Sequence, residues 1–143
     1  MGGMARYEHD DYQRATSDPK IAGNPWFICT LWLAQWQIRK ATSQDDLAEA
    51  EKLLEWVASR ALPSGVLAEQ VHPLDGTPLS VSPLTWSHAT FVQVVLDYLG
   101  KRASFDRCPT CGQPLATRDR ATFLTDRLRA ARLAAVPHRH AAP

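Results

Sequence analysis

The sequence predicts an all-α protein of about four helices that close part of a ring, and three observations carry that reading. No segment alternates apolar and polar residues over a useful length, which removes the usual signature of a half-buried strand. Residues 26–36, Trp-Phe-Ile-Cys-Thr-Leu-Trp-Leu-Ala-Gln-Trp, are apolar almost all round, as in a helix covered on every side. An outer helix with one apolar face and then a second mostly apolar helix follow. That alternation suggests inner and outer layers of a helical toroid rather than a four-helix bundle.

In chain order, residues 1–23 mix charge, Gly, Ser and Pro without a helical or strand period and read as a loop. Pro25 suits the first turn of the helix that begins beside Trp26. Ser43, with Asp45 and Asp46 behind it, reads as an N-cap with acid in the first turn. Leu47, Ala50, Leu54 and Val57 then repeat at helical spacing opposite Glu49, Glu51, Lys52 and Glu55. Pro63, Gly65, Pro73, Asp75-Gly76 and Pro78 break residues 61–82 into turns, and a loop of that length in a compact domain tends to carry function. Ser82-Pro83 opens a third helix through Trp86, Phe91, Val95 and Leu99, with Gly100 as its expected stop. Leu124, Leu128 and Ala131 mark a fourth, Arg-rich helix over about 118–134.

The chain has 143 residues, 45% of them hydrophobic, which suffices for one domain with a core. Its formal net charge of +1 gives no global pull towards nucleic acid or an anionic membrane. The charge is unevenly spread: residues 1–100 hold seven basic and twelve acidic side chains, and residues 101–143 hold nine and three. We therefore divide the chain into residues 1–100 and a basic tail, 101–143. That tail lacks the aromatic interleaving of a base-binding surface, so no nucleic-acid partner is expected. No apolar run approaches the roughly 20 residues that span a bilayer, and the first residues lack a secretory apolar stretch. No membrane partner is expected and a cytoplasmic location is.

The candidate site begins with Glu69, a carboxylate on the punctuated loop between Gly65 and Pro73, just ahead of the Trp86 helix. A general base of this kind must stay ionised, which a polar, partly solvated loop favours over a helix interior. Glycosidic hydrolysis normally needs two carboxyl groups flanking the bond, and no second one stands out in the sequence. Arg6 and Asp10 read by themselves as ordinary solvated charges near a chain end; the resemblance given next makes them candidates, Arg6 to offer planar, paired hydrogen bonds to neighbouring hydroxyls and Asp10 to accept from them, with Tyr12 as a further pocket residue. Trp26 and Trp86 each open a helix beside a loop, where a flat ring can floor a sugar site. Trp32, Trp36 and Trp56 read as core packing, and His88 as a satisfied helix histidine.

Four segments, Ala5-Arg6-Tyr7-Glu8-His9-Asp10-Asp11-Tyr12, Gly23 to Ala34, Leu67-Ala68-Glu69-Gln70 and Leu84-Thr85-Trp86-Ser87-His88-Ala89, resemble glycoside hydrolase family 15, the glucoamylase-type enzymes, in the family's order. The resemblance covers residues 2–100 and implies the C-terminal portion of an (α/α)6 barrel, an incomplete one. It implies an inverting hydrolase that releases glucose from α-glucans, with Glu69 as general base and Arg6 in a substrate-contacting loop. The family's general acid lies upstream of the arginine motif, so the chain on its own is expected to be inactive and to need an N-terminal barrel portion as partner.

Cys29, Cys108 and Cys111 make an odd set and no disulfide framework. The Cys108-Pro109-Thr110-Cys111-Gly112 turn resembles half of a zinc ribbon, so Cys108 and Cys111 are candidate ligands of a structural zinc; a closed site needs four ligands, and a reduced pair in a turn is the plainer reading. No other cofactor is expected. Two other functions compete with hydrolysis: an interaction or regulatory module built on the basic tail and the cysteine turn, and a carbohydrate binder that does no chemistry.

Overall fold

The structure, a computed structural model, describes residues 2–107, 109, 110 and 112. It is mainly helical: α1 spans Phe27–Lys40, α2 Ala48–Ala58 and α3 Thr85–Phe105, with a short 3-10 turn at Asp45–Leu47. A small antiparallel sheet, β1 (Gln70–Val71) and β2 (Pro78–Leu79), interrupts the long loop, with Gln70 opposite Leu79 and Val71 opposite Pro78. The sheet departs from the all-helical expectation, and its strands are too short for alternation to betray them. The expected fourth helix and the cysteine turn's Cys108 and Cys111 lie outside the described residues.

Phe27, Leu31, Ala34 and Ile38, spaced at four, three and four, form the stripe of α1 that faces the core. Leu47, Ala50 and Val57 of the α2 segment and Val94 and Tyr98 of α3 meet it, along with Leu67, Ala68 and Val71 from the loop. Ser43 and Asp46 exchange bonds across the start of the α2 segment: Ser43 N donates to Asp46 Oδ2 at 3.0 Å and Asp46 N to Ser43 Oγ at 3.4 Å. The exchange closes the turn just ahead of the 3-10 segment, whose N-cap position is Gln44 rather than the expected Ser43 and carries no side-chain cap bond.

The first residues of α1 and α3 lie at the same end of the molecule. Phe27 N donates to Glu69 O, and Leu84 N to Leu67 O, two residues away. The end of α2 returns there too, since the Trp56 and Phe27 rings are 5.8 Å apart. Thus α1 and α3 run the same way while α2 runs back.

Three expectations about the helices are corrected. First, α3 continues through Gly100 to Phe105, because the intrahelical ladder persists there and no αL turn forms. The proposed boundary after residue 100 therefore falls inside a helix. Second, α3 starts at Thr85, later than the Ser82-Pro83 signal. Third, α1 is not covered on every side: Trp32 is 49% and Trp36 54% exposed, and Trp86, Val92 and Leu99 of α3 are exposed as well. Apolar content records what a helix can bury, and here part of two helices is left uncovered by the described residues. None of the helices among the described residues is long and apolar enough to cross a membrane.

Candidate functional site

Four backbone segments run side by side and build the site. Trp26 bridges to Met4 on one flank and to Gln70 on the other, and Gln70 pairs onward with Leu79. Trp26 N donates to Met4 O at 2.8 Å and Val71 N to Pro25 O at 3.0 Å. Thr30 Oγ1, on the first turn of α1, receives Met4 N at 2.9 Å while donating to Trp26 O at 2.8 Å. The register that places Met4 against Trp26 brings Arg6 over the indole, and the register that places Gln70 there brings Glu69 to the same rim. Ser87 Oγ, buried in α3, donates to Ala68 O at 2.8 Å and brings Trp86 alongside.

The result is an open hollow of about 660 Å3 lined by Arg6, Tyr12, Trp26, Trp32, Glu69 and Trp86, together with Met4, Ala5, Ile28 and Cys29. Of the six residues singled out in residues 1–100, the hollow gathers Glu69, Arg6, Tyr12, Trp26 and Trp86, from segments far apart in sequence. Its volume and aromatic walls with a few polar groups suit a small polar ligand with apolar faces. Glu69 is the one carboxylate among the described residues that line it.

Asp10 takes a different position from the hydroxyl acceptor expected of it. It is 1% exposed and turned inwards, accepting from Arg6 Nε at 2.8 Å and Nη2 at 2.7 Å. Tyr12 N also donates to its Oδ1 at 3.1 Å. The two-pronged bond to Arg6 holds the carboxyl down at about 2, against the opposing effect of burial. The same bond raises the Arg6 pKa, so the guanidinium is held charged. Arg6 Nη1 is left without a hydrogen-bond partner among the described residues. Its guanidinium lies 4.5 Å from the Trp26 ring centre and 4.9 Å from that of Tyr12, a cation clasped by aromatic faces.

The loop that carries these groups is tied by a second arginine. Arg14 donates to the carbonyls of Asp10, Thr16, Asp18, Ile21 and Ala22, at 2.5 to 3.2 Å. A planar fork of donors is suited to such a cage. His9 and Gln13 on this loop, like Ser80 opposite, hold positive φ without being glycine. Backbone held in so sparsely populated a region commonly marks a functional site.

On the other wall, Ser80 Oγ donates to Glu69 Oε2 at 2.5 Å and Gln70 Nε2 donates to the same oxygen at 3.4 Å. Both bonds fall on Oε2, and Oε1 has no partner among the described residues. Ser80 escaped the sequence reading because nothing in Leu79-Ser80-Val81 distinguishes it; only the β1–β2 pairing brings residue 80 back to residue 69. Trp32 differs from the core position expected of it. It lines the hollow with its ring 5.8 Å from that of Trp86, edge on. Its signal was its spacing, one turn after Cys29 and one before Trp36 on the same side of α1. Cys29 also reaches the hollow, and burial pushes its thiol up. Trp26 is only 5% exposed, and its indole N–H is buried without a hydrogen-bond partner among the described residues. Its ring face is taken up by the Arg6 guanidinium. His88 Nε2 accepts from Leu67 N at 3.0 Å, a satisfied helix histidine. Among the described residues, no three His, Cys, Asp or Glu side chains gather as a metal site would require.

Compared with known proteins, the chain is similar to an uncharacterized glycosyl hydrolase of Methanocaldococcus jannaschii, 35% identical over 106 residues. The match takes in 68% of this chain and 16% of that protein, so the chain spans about a sixth of its relative's length. No family model matches the sequence. No solved structure matches it either.

Proposed function

We propose that the hollow is the base-bearing part of a glucoamylase-type site, one that binds the end of an α-glucan and hydrolyses it with inversion. One observation carries the reading: Glu69, Arg6, Tyr12, Trp26 and Trp86, spread over 81 positions of sequence, line the same hollow. The similarity to a glycosyl hydrolase supports it independently. In this reading the three helices belong to an (α/α)6 toroid, of which α1 and α3 are inner helices and α2 an outer one.

Glu69 is the general base. Ser80 and Gln70 fix Oε2, which leaves Oε1 to take a proton from a water as that water attacks the anomeric carbon. Arg6, braced by Asp10, offers its spare N–H groups to adjacent sugar hydroxyls, while Trp86, Trp32 and Tyr12 lie against the apolar faces of the ring. An inverting reaction also needs a protonated carboxyl about 6.5–9.5 Å from the base. We assign it to a part of the toroid outside the described residues, because Glu69 is the sole acid at the hollow among them. That same fact favours a second reading for the chain by itself, binding of sugar without turnover.

A complementation assay tests both. The chain alone should bind maltotriose and release almost no glucose from it. Adding the acid-bearing portion of a glucoamylase-type barrel should restore release, with the β-anomer formed first, and Glu69→Gln should abolish that release. Efficient hydrolysis by the chain alone, indifferent to Glu69→Gln, would overturn the assignment of base and missing acid together.

A further inference from the structure

Two buried amides connect the arginine wall of the hollow to its carboxylate wall. Asn24 is 1% exposed and Gln70 0%. Asn24 Nδ2 donates to Gln13 O at 2.7 Å and to Gln70 Oε1 at 2.7 Å, while Asn24 Oδ1 accepts from Ala15 N at 3.0 Å. Gln70 Nε2 then faces Glu69 Oε2. The residues joined lie on the loop that carries Tyr12, two positions ahead of Trp26, and next to the carboxylate.

The polarity of this chain is fixed from one end. A backbone carbonyl can only accept and a backbone N–H can only donate, so Gln13 O and Ala15 N leave Asn24 a single amide orientation. Its remaining N–H points at Gln70, which must answer with Oε1. Gln70 Nε2 is thereby turned to the carboxylate of Glu69, where a donor is what an ionised acid requires. In the opposite sense the two oxygens would oppose each other in a buried setting, at the cost that unpaired polar groups carry there.

We propose that Asn24 and Gln70 are positioning residues: they fix the 10–16 loop relative to Glu69 and hold the carboxylate in its working orientation, although neither lines the hollow. The inference rests on the reading of the hollow as a sugar site, and two separate readouts keep the ideas distinguishable. Gln70→Met removes the bridge at nearly constant volume. Val71→Ala, one residue on and equally buried, serves as the control for general loss of stability.

Amide hydrogen exchange over residues 12–16 should quicken in Gln70→Met and stay as in the wild type in Val71→Ala, even where both lower Tm alike. Maltotriose binding, followed by tryptophan fluorescence, should weaken by about tenfold in Gln70→Met, the loss typical of a charge-assisted bond and its alignment, and remain near the wild-type value in Val71→Ala. Asn24→Asp should weaken it as well, since the introduced carboxylate opposes Gln13 O and can only accept from Gln70, turning that amide's oxygen towards Glu69. Exchange over residues 12–16 that is the same in Gln70→Met and Val71→Ala would overturn the inference whether or not sugar binds. A wild-type chain with no affinity for maltotriose would instead remove the sugar site, while the exchange experiment would still decide the coupling.

Discussion

The helical platform and the loop wall of this molecule are held by different forces. Phe27, Leu31, Leu47, Val57 and Val94 are buried almost completely and interlock by shape and apolar area. Residues 4–24 contribute little to that core. They are held by directed bonds instead: Asp10 to Arg6, Arg14 to five carbonyls, Asn24 to Gln13, Ala15 and Gln70. Apolar packing tolerates small rearrangements, whereas a fork of hydrogen bonds fixes direction. The platform therefore sets stability, and the loop sets the aim of the groups that would meet a ligand.

If that division is right, damage to the two regions should separate stability from binding. The largest stability loss is expected in the platform. Leu31→Ala should cost about 3–4 kcal/mol by chemical denaturation, from lost burial plus a residual cavity. Under conditions where that variant remains folded, its affinity for maltotriose should be nearly unchanged; a matching loss of affinity would erase the distinction.

Gly3→Ala attacks the seam between the regions. Gly3 has φ +92, and a Cβ there would come within 2.4 Å of the Trp56 ring and 2.9 Å of Pro25. Both neighbours are large and fixed, so the segment around Met4 must shift away from Trp26. A loss of about 1–3 kcal/mol, as for overpacking, is expected together with weaker maltotriose binding, because Arg6 follows Met4. Retention of full affinity would show that Arg6 is positioned by Asp10 alone.

Asp10→Asn probes the loop with little effect on the platform. Arg6 keeps its charge and loses its brace, and affinity for maltotriose should fall about tenfold or more, in keeping with a broken charge-assisted pair. The pH dependence has a definite sign. The folded carboxyl titrates at about 2, below its ordinary 3.8, so its stabilising contribution is complete above 3.8 and is lost as pH falls through 2. The Tm difference between wild type and Asp10→Asn should be constant from neutral pH down to that range and close below it. A gap that widens in acid would contradict the pairing.

The platform was more legible in the sequence than the site. Leu47, Ala50 and Val57 mark their buried face by spacing alone, and Ser43 with Asp46 marks the turn that leads into the helix. Periodicity could not say that Trp32 and Trp36 stand exposed, because it reports an apolar side chain and not whether anything covers it. The candidate site was legible as a set of residue types: Arg6, Tyr12, Trp26, Glu69 and Trp86 were singled out and are found around one hollow. Which of them face it was not. Asp10 looks the same in sequence whether it meets a ligand or Arg6, and only the fold of the 5–14 loop decides. Ser80 depends on a two-residue strand pair that leaves no pattern at all.

The smallest effect, and the sharpest on the carboxylate side, concerns Ser80. Its φ of 64 is one that glycine adopts freely and serine does not. Its hydroxyl donates to Glu69 Oε2. Ser80→Ala removes the bond and keeps the strain, whereas Ser80→Gly removes both. Ser80→Gly should therefore be the more stable variant by about 1 kcal/mol, while both lose the same fraction of complemented glucose release, since each leaves Oε2 with the longer Gln70 bond alone. If Ser80→Gly were instead both more stable and fully active, the serine would be dispensable to the carboxylate. The strained backbone at that position would then owe its persistence to the β2 turn rather than to the hollow.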